Sequence, residues 1–469
     1  MHARIRPTRP LTLTLVALSA LGLGSPALAG GDSITLTPAN SIQAAINSGL
    51  YGEIILAEGT YAQTVDFNGG AVTLRSTNPD DPAVVAATVI DGSFLGTSVL
   101  ICDDGEGPDT QIVGLTITGG EANGSVPNDR GGGLRCWPGS PTVDRCVFIG
   151  NEAVNFGGGM YVSAGSPTII GTTFTGNVAG QGGGAYLNFS TEQVTLSDCV
   201  FDGNDAPTAG GGLRTQGGTV MLDRVTFVGN QTDVAGGGLY ANNTVLAVQR
   251  TRFTGNVAER GGAVYTLSES SASTITDSVI DDNEAIVTGG GFYFRTPMTV
   301  RNCTFVGNTV PGTTSSVDAA SSVTQVVSSV FWGNNGGSPV GGAGTVNVTR
   351  SLVEGGEPGA GNVDTDPIFL AAGDGDYRLA SNSPAIDAGD SSVITDPYPV
   401  DFDGLPRATN RTETSDTGLA RLGLTVDMGA FEFQPEGSGN PNCPADLDLS
   451  GDVDFADLLQ VLSAFGSCP

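Results

Sequence analysis

The feature that most constrains this chain is a repeat. Phe148, Phe174, Phe201, Phe227, Phe253, Ile280, Phe305 and Phe331 follow one another every 25 to 27 residues. Three places after each stands an asparagine: Asn151, Asn177, Asn204, Asn230, Asn256, Asn283, Asn308 and Asn334. Five places before each stands an aliphatic residue: Val143, Ile169, Leu196, Leu222, Val248, Ile275, Val300 and Val326. Glycine runs at 131–133, 157–159, 182–184, 210–212, 236–238 and 289–291 keep the same period. A period this strict implies a solenoid, in which each copy buries its apolar face only against its neighbours.

Short β-rich segments with glycine corners at this spacing predict an all-β fold, a right-handed parallel β-helix with coils of ~26 residues. In-register parallel strands lie about 4.8 Å apart, so equivalent side chains pile into ladders. The aliphatic and Phe ladders fill the interior. Two places before each Phe come Cys146, Thr172, Cys199, Val225, Thr251, Ser278, Cys303 and Ser329, a small-residue ladder that also points inward. The asparagines belong at a corner, where stacked amides hydrogen-bond along the axis. The glycine runs supply the positive φ that another corner needs.

Upstream, residues 41–67 read as a short amphipathic helix and the first strands, a cap over the open end of the solenoid. Less regular coils run on to about Arg130. The repeat fades after Asn334, which divides the chain into a β-helix over 30–362, a turn-rich module over 363–433, a Gly/Pro/Ser linker over 434–442 and a small unit over 443–469.

Arg4, Arg6 and Arg9, an apolar run from Leu11 to Leu23 and the small residues Ala27-Leu28-Ala29 describe a secretory signal peptide over 1–29. The run is short for a membrane span, and no later segment reaches that length. The expected location is therefore extracellular or cell-surface. A formal net charge of −30 repels phosphate backbones, which argues against a nucleic-acid partner. The chain contains no lysine, and its one histidine, His2, lies in the leader. The mature protein thus lacks Ser-His-Asp and Cys-His machinery, histidine zinc sites and a Schiff-base amine. Any chemistry falls to carboxylates, arginine, tyrosine, hydroxyls or bound calcium.

Two outward patterns follow the repeat. After the glycine runs come Arg135, Tyr161, Tyr186, Arg214, Tyr240, Tyr265 and Tyr293. Strand alternation points them outward as a Tyr/Arg stripe. The stripe either binds sugar faces or a partner protein, with the arginines suited to anionic sugars, or merely covers the sheet. Three places before each Phe come Arg145, Gly171, Asp198, Arg224, Arg250, Asp277 and Asn302, which makes Asp198–Arg224 and Arg250–Asp277 neighbours on adjacent coils. That ladder is either a set of surface ion pairs or the calcium-and-arginine apparatus of a polysaccharide lyase. A glycoside hydrolase pair is not evident, because no two outward acids recur at one position on adjacent coils. Cys146, Cys199 and Cys303 lack neighbours in their ladder and read as core filling. Cys136 and Cys146 share a coil and either bridge across the core or stay thiols; Cys102 has no assigned partner.

The paired Gly-Gly-aliphatic and Phe-x-x-Asn signature over 130–334 resembles the repeat of the polymorphic outer-membrane proteins, which implies a β-helical surface protein associated with adhesion. "SIQAAINSG…EIILAEGTY" is similar to the start of pectate-lyase-like β-helices. "DTDPIFL…GDYRLASNSPAIDAGD…VDFDGLPR…VDMGAFEF" resembles the choice-of-anchor Q module, which closes exported bacterial β-helices. "CPADLDLSGDVDFADLLQVLSAFGSCP" resembles a single-repeat dockerin-type module with one helix, which implies calcium and a cohesin-like or sorting receptor. In that loop Asp446, Asp448, Ser450, Asp452, Asp454 and Asp457 fall at calcium-ligand positions, with Gly451 at the turn. Read without a metal, the same loop is an acidic turn. Cys443 and Cys468 bracket the unit and are expected to pair in an oxidising compartment or to stand as two thiols. Taken together, the sequence favours an exported, surface-attached, non-catalytic protein binding glycans or surface proteins. The alternatives are a calcium-dependent polysaccharide-degrading enzyme and a structural spacer.

Overall fold

A computed structural model describes residues 31–434 except 189–192, 268–272, 313–314, 321–322, 336–337, 395–398, 408–416 and 421–424. Three long parallel sheets wind about one core, as the period requires: an all-β, right-handed parallel β-helix. The first, here the aliphatic sheet, has 13 strands running from Asp32–Leu36 to Thr345–Thr349. The Phe sheet has 12, from Gly59–Ala62 to Leu352–Val353, and the Tyr sheet 11, from Val65–Asp66 to Val340–Gly341. One coil visits Thr142–Asp144, Val147–Ile149, the short strand Glu152–Phe156 and Met160–Ser163 in turn.

Stacking converts the period into contacts. Phe148, Phe174, Phe201, Phe227 and Phe253 pair in register and stack face to face at 4.7–5.1 Å between ring centroids. At Ile280 the ladder loses its ring, and Phe292 from the Tyr sheet fills the gap, edge-on to Phe253 at 6.3 Å and to Phe305 at 5.0 Å. Volume is thus conserved although the repeat is broken.

The asparagines form the expected corner ladder, completely buried from Asn151 to Asn308. Asn177 Nδ2 donates back to Phe148 O at 2.9 Å and forward to Asn204 Oδ1 at 3.0 Å, an oxygen that also accepts from the Asn177 N–H at 3.0 Å. The pattern repeats coil after coil, so amides buried without water are satisfied by their own copies. The next corner is the glycine one. Gly157 has φ +64°, and a Cβ there would lie 2.0 Å from Met160 O, so both conformation and space demand glycine. The corner between the aliphatic and Phe sheets is also left-handed, yet it carries Arg145, Asp198, Arg224, Arg250, Asp277 and Asn302 at φ 47–56°. Neighbouring coils over-determine a conformation these residues disfavour alone.

At the N-terminal end, α1 (Ile42–Ser48) caps the core as expected. Ser41 Oγ accepts from Ala44 N at 3.1 Å, Gly49 ends the helix at φ +63°, and Ile42 and Ala45 are buried. Two elements escape the sequence reading: the strand Asp32–Leu36, which precedes the helix and pairs with Tyr51–Leu56, and α2 (Pro82–Ala87). No helix among the described residues is long and apolar enough to cross a membrane.

The segment beyond 363 folds back on the solenoid. Its hairpin pairs Phe369–Ala371 with Asp376–Leu379. Leu379, Ile386 and Met428 pack on Val330 and Leu352, and Tyr377, Ala430 and Phe431 pack on Val279, so the segment covers the outer face of the last Phe-sheet coils. Backbone ties fix it there: Gly429 N donates to Ser328 O at 2.8 Å, and Ala430 N to Thr304 Oγ1 at 2.9 Å.

The tyrosine face and the charged corner

The Tyr/Arg residues stand in register on the outer face of the Tyr sheet, from Tyr161 through Tyr186, Arg214, Tyr240 and Tyr265 to Tyr293. Their rings stack on one another. Tyr240–Tyr265 and Tyr265–Tyr293 are each 5.1 Å apart, and Tyr161–Tyr186 5.7 Å. The Arg214 guanidinium lies between two rings, 4.9 Å from Tyr186 and 5.2 Å from Tyr240. Ring faces are therefore occupied within the ladder, and a ligand meets ring edges, not the flat faces that strand alternation alone suggested.

Arg135 leaves the stripe. It is buried and donates to Asp103 Oδ2 and Asn128 Oδ1, each at 2.8 Å. Arg130 takes the stacking place, 5.2 Å from the rings of Trp137, Phe156 and Tyr161. Arg130 belongs to a further ladder, the residue just before each glycine run: Arg130, Phe156, Gln181, Ala209, Ala235, Arg260 and Thr288. That ladder decides what of the stripe is open. Beside Arg130 and Phe156, Tyr161 is only 2% exposed; beside Ala209 and Ala235, Arg214 and Tyr240 are half-buried. The alanines are visible in the sequence, but their effect needs the coil geometry.

Two buried polar atoms at this opening have no partner, Arg214 Nε and Asn242 Oδ1. The Asn242 amide donates to Gln216 Oε1 at 2.9 Å and leaves its oxygen unused. Among the described residues four arginines have no carboxylate partner: Arg301 and Arg350 donate instead to the carbonyls of Val393 and Thr417, while Arg214 and Arg295 belong to the Tyr sheet and the residue that follows its strand Phe292–Phe294. Desolvation by burial raises the hydroxyls of Tyr186, Tyr240 and Tyr293 and keeps them neutral.

At the charged corner, Arg224 grips Asp198 through Nε at 2.5 Å and Nη2 at 2.7 Å, and reaches Asp223 at 2.9 Å. Arg250 does not meet Asp277 as the repeat suggested. It turns to Asp223, the carboxylate at the strand end one coil back, with bonds of 2.9 and 2.7 Å. Asp277 is instead held by Arg407 of the closing segment at 2.6 Å. Arg145 pairs with Asp80 and Asp144. The hydrogen bonds that Arg224 donates to Asp198 raise its pKa, the opposite of what a general base requires.

Sequence reasoning missed a buried knot around Arg407. Asp387, Asp401, Asp427 and Glu432 are all buried there, and three of them accept from backbone N–H groups: Asp427 from Asp387 and Phe433, Glu432 from Asp427, and Asp401 from Leu405 and Glu432. Burial pushes the Asp427 carboxyl up to about 7, and burial with the Asp427 charge holds Glu432 well above its ordinary range. The carboxylates of Asp66, Asp104 and Glu106 also converge, within 4.8 Å of one another. Glu106 there accepts from Gly69 N at 2.8 Å and Asp104 N at 3.1 Å, a local backbone tie.

Cys102, Cys136, Cys146, Cys199 and Cys303 are buried thiols. Cys136 is not joined to Cys146; its register partner is Cys102, one coil away. The calcium-loop residues Asp446, Asp448, Ser450, Asp452, Asp454 and Asp457, and the pair Cys443 and Cys468, lie outside the described residues, as does the leader over 1–29. No curated protein matches the chain. Residues 132–353, the stretch that carries the Phe, Asn and Tyr ladders, match the family model described as the right handed beta helix region.

Proposed function

We propose that the protein is an exported, surface-attached and non-catalytic β-helix that engages acidic glycans, or a partner surface carrying carboxylates, along its tyrosine sheet. The observation that carries this is Arg214. In a chain with a formal net charge of −30, it sits between two tyrosine rings at a half-open position with no carboxylate beside it. A guanidinium held by stacking, with no carboxylate to neutralise it, favours an anion at the half-open position. A lyase is disfavoured because the corner arginines are neutralised by aspartates, and Arg224 is held more firmly protonated and so cannot take up a proton. Attachment is assigned to the unit over 443–469, with calcium held by the six loop residues and a cohesin-like or sorting receptor as its partner.

The test is an assay of the mature protein on neutral and acidic polysaccharides, with calcium and with chelator, following retention and product release together. Retention of acidic glycans without products is expected. Tyr240→Phe with Tyr293→Phe should weaken it several-fold, since both changes keep the stack and remove hydroxyl edges. Product release abolished by Arg224→Ala would make the protein a lyase, and the absence of both signals would leave a spacer.

A further inference from the structure

Cys102 and Cys136 occupy the same inward position of the Tyr sheet on consecutive coils. Both are completely buried. The same ladder continues through Val162, Leu187, Thr215, Ala241, Thr266, Phe294 and Ala319, so cysteine enters it only at these two adjacent coils. Cys146, Cys199 and Cys303 differ: their in-register neighbours include Thr172, Ser278 and Ser329, and none touches another cysteine. In-register parallel strands are about 4.8 Å apart, inside the Cα separation of about 4.4–6.8 Å that a disulfide accepts.

The pair also stands at a particular joint. Their spacing is longer than a regular coil, 34 positions against 25 to 28 along the rest of this ladder, and it joins the irregular N-terminal coils to the first clean repeat. We infer that Cys102 and Cys136 form an inter-coil disulfide that staples the N-terminal coils to the repeats. The bond is made as the coils wind, while both sulfurs are still accessible, because the folded core admits no oxidant. An external disulfide of the glutathione or dithiol-oxidoreductase class is the electron acceptor. The two cysteine thiols release two protons and two electrons and form one S–S bond, while the donor's S–S bond breaks and takes them up as two thiols. Both positions are completely buried, so the finished staple is shielded from attack by external thiolates.

The experiment uses the full mature chain carrying Cys443→Ala and Cys468→Ala, which removes the tail cysteines from the count. It is folded in a mixture of reduced and oxidised glutathione, unfolded with alkylating agent but no reductant, and digested. The expected result is a peptide joining Cys102 to Cys136, lighter by two hydrogens than its separate halves, with Cys146, Cys199 and Cys303 alkylated. A second readout guards against variants that fail to fold. The chain refolded from the denatured state in reductant should have a lower thermal midpoint than the chain refolded with oxidised glutathione, and Cys136→Ala, which installs the residue found at Ala241 and Ala319, should show no such difference. Alkylation of Cys102 and Cys136 in the oxidatively folded chain, or a midpoint insensitive to reductant, overturns the inference.

Discussion

Asp198 and Asp277 occupy the same corner of the repeat, three coils apart, and their partners differ. Asp198 is bound by Arg224 at the surface, where the two side chains are 45% and 46% exposed. Asp277 is bound by Arg407, whose side chain is only 1% exposed under the closing segment. The backbone is equivalent, with φ 56° and 51°, so the difference lies entirely in what covers the corner. One pair is a solvated contact between coils, while the other anchors a distant segment and cannot be broken without stranding charge. Position in a repeat specifies backbone, but the energy of a charge depends on its surroundings.

The largest effect is expected at the covered corner. Arg407→Ala leaves Asp277 and the buried acids around Glu432 without their cation, which should cost about 3–5 kcal/mol. Limited proteolysis should then cut within 363–434 while the circular dichroism of the solenoid persists. Equal protection of variant and wild type would show that the apolar packing of Tyr377, Ile386 and Met428 suffices.

A smaller effect comes from pH. The folded Asp427 and Glu432 carboxyls have higher pKa values than unfolded ones, so their contribution is full below about pH 4 and is lost as pH rises through about 7. Protease protection of the closing segment should therefore fall between pH 5 and pH 9, at constant ionic strength. Glu432→Gln keeps an acceptor for the Asp427 N–H and removes one charge, and it should flatten that fall. A segment more resistant at pH 9 than at pH 5 would contradict the sign.

The smallest effect belongs to the exposed corner. Arg224→Ala should shift stability by less than about 1 kcal/mol, reduced further by salt, because both partners remain hydrated. Thermal midpoints at low and high salt measure this. A loss matching that of Arg407→Ala would erase the distinction between the two corners.

Most of the core was legible in the sequence, because a solenoid places residues one period apart in direct contact. Phe227 could be assigned to Phe201 and Phe253, and Asn204 to Asn230, from spacing alone. What escaped lies where a side chain leaves its own ladder. Arg250 reaches back to Asp223 and not forward to Asp277. Arg130 stacks on Tyr161 from the neighbouring ladder, and Phe292 replaces the ring missing at Ile280. The partnership of Cys102 and Cys136 was hidden by the 34-residue spacing, which falls outside the regular period.

The candidate binding face was half legible. Strand alternation correctly placed Tyr161, Tyr186, Arg214, Tyr240, Tyr265 and Tyr293 in one outward row, but it could not tell that stacked rings hide their faces. Nor could it tell that Ala209 and Ala235 leave Arg214 and Tyr240 half-open. By itself the sequence determined the coil and its ladders, because those depend on local spacing and on copies meeting copies. Tertiary structure alone decided which corner charges face water, which are sealed under the closing segment and which arginines are left without a carboxylate. Those outcomes depend on distances between residues that no period relates, and electrostatic energy follows distance and burial, not sequence order.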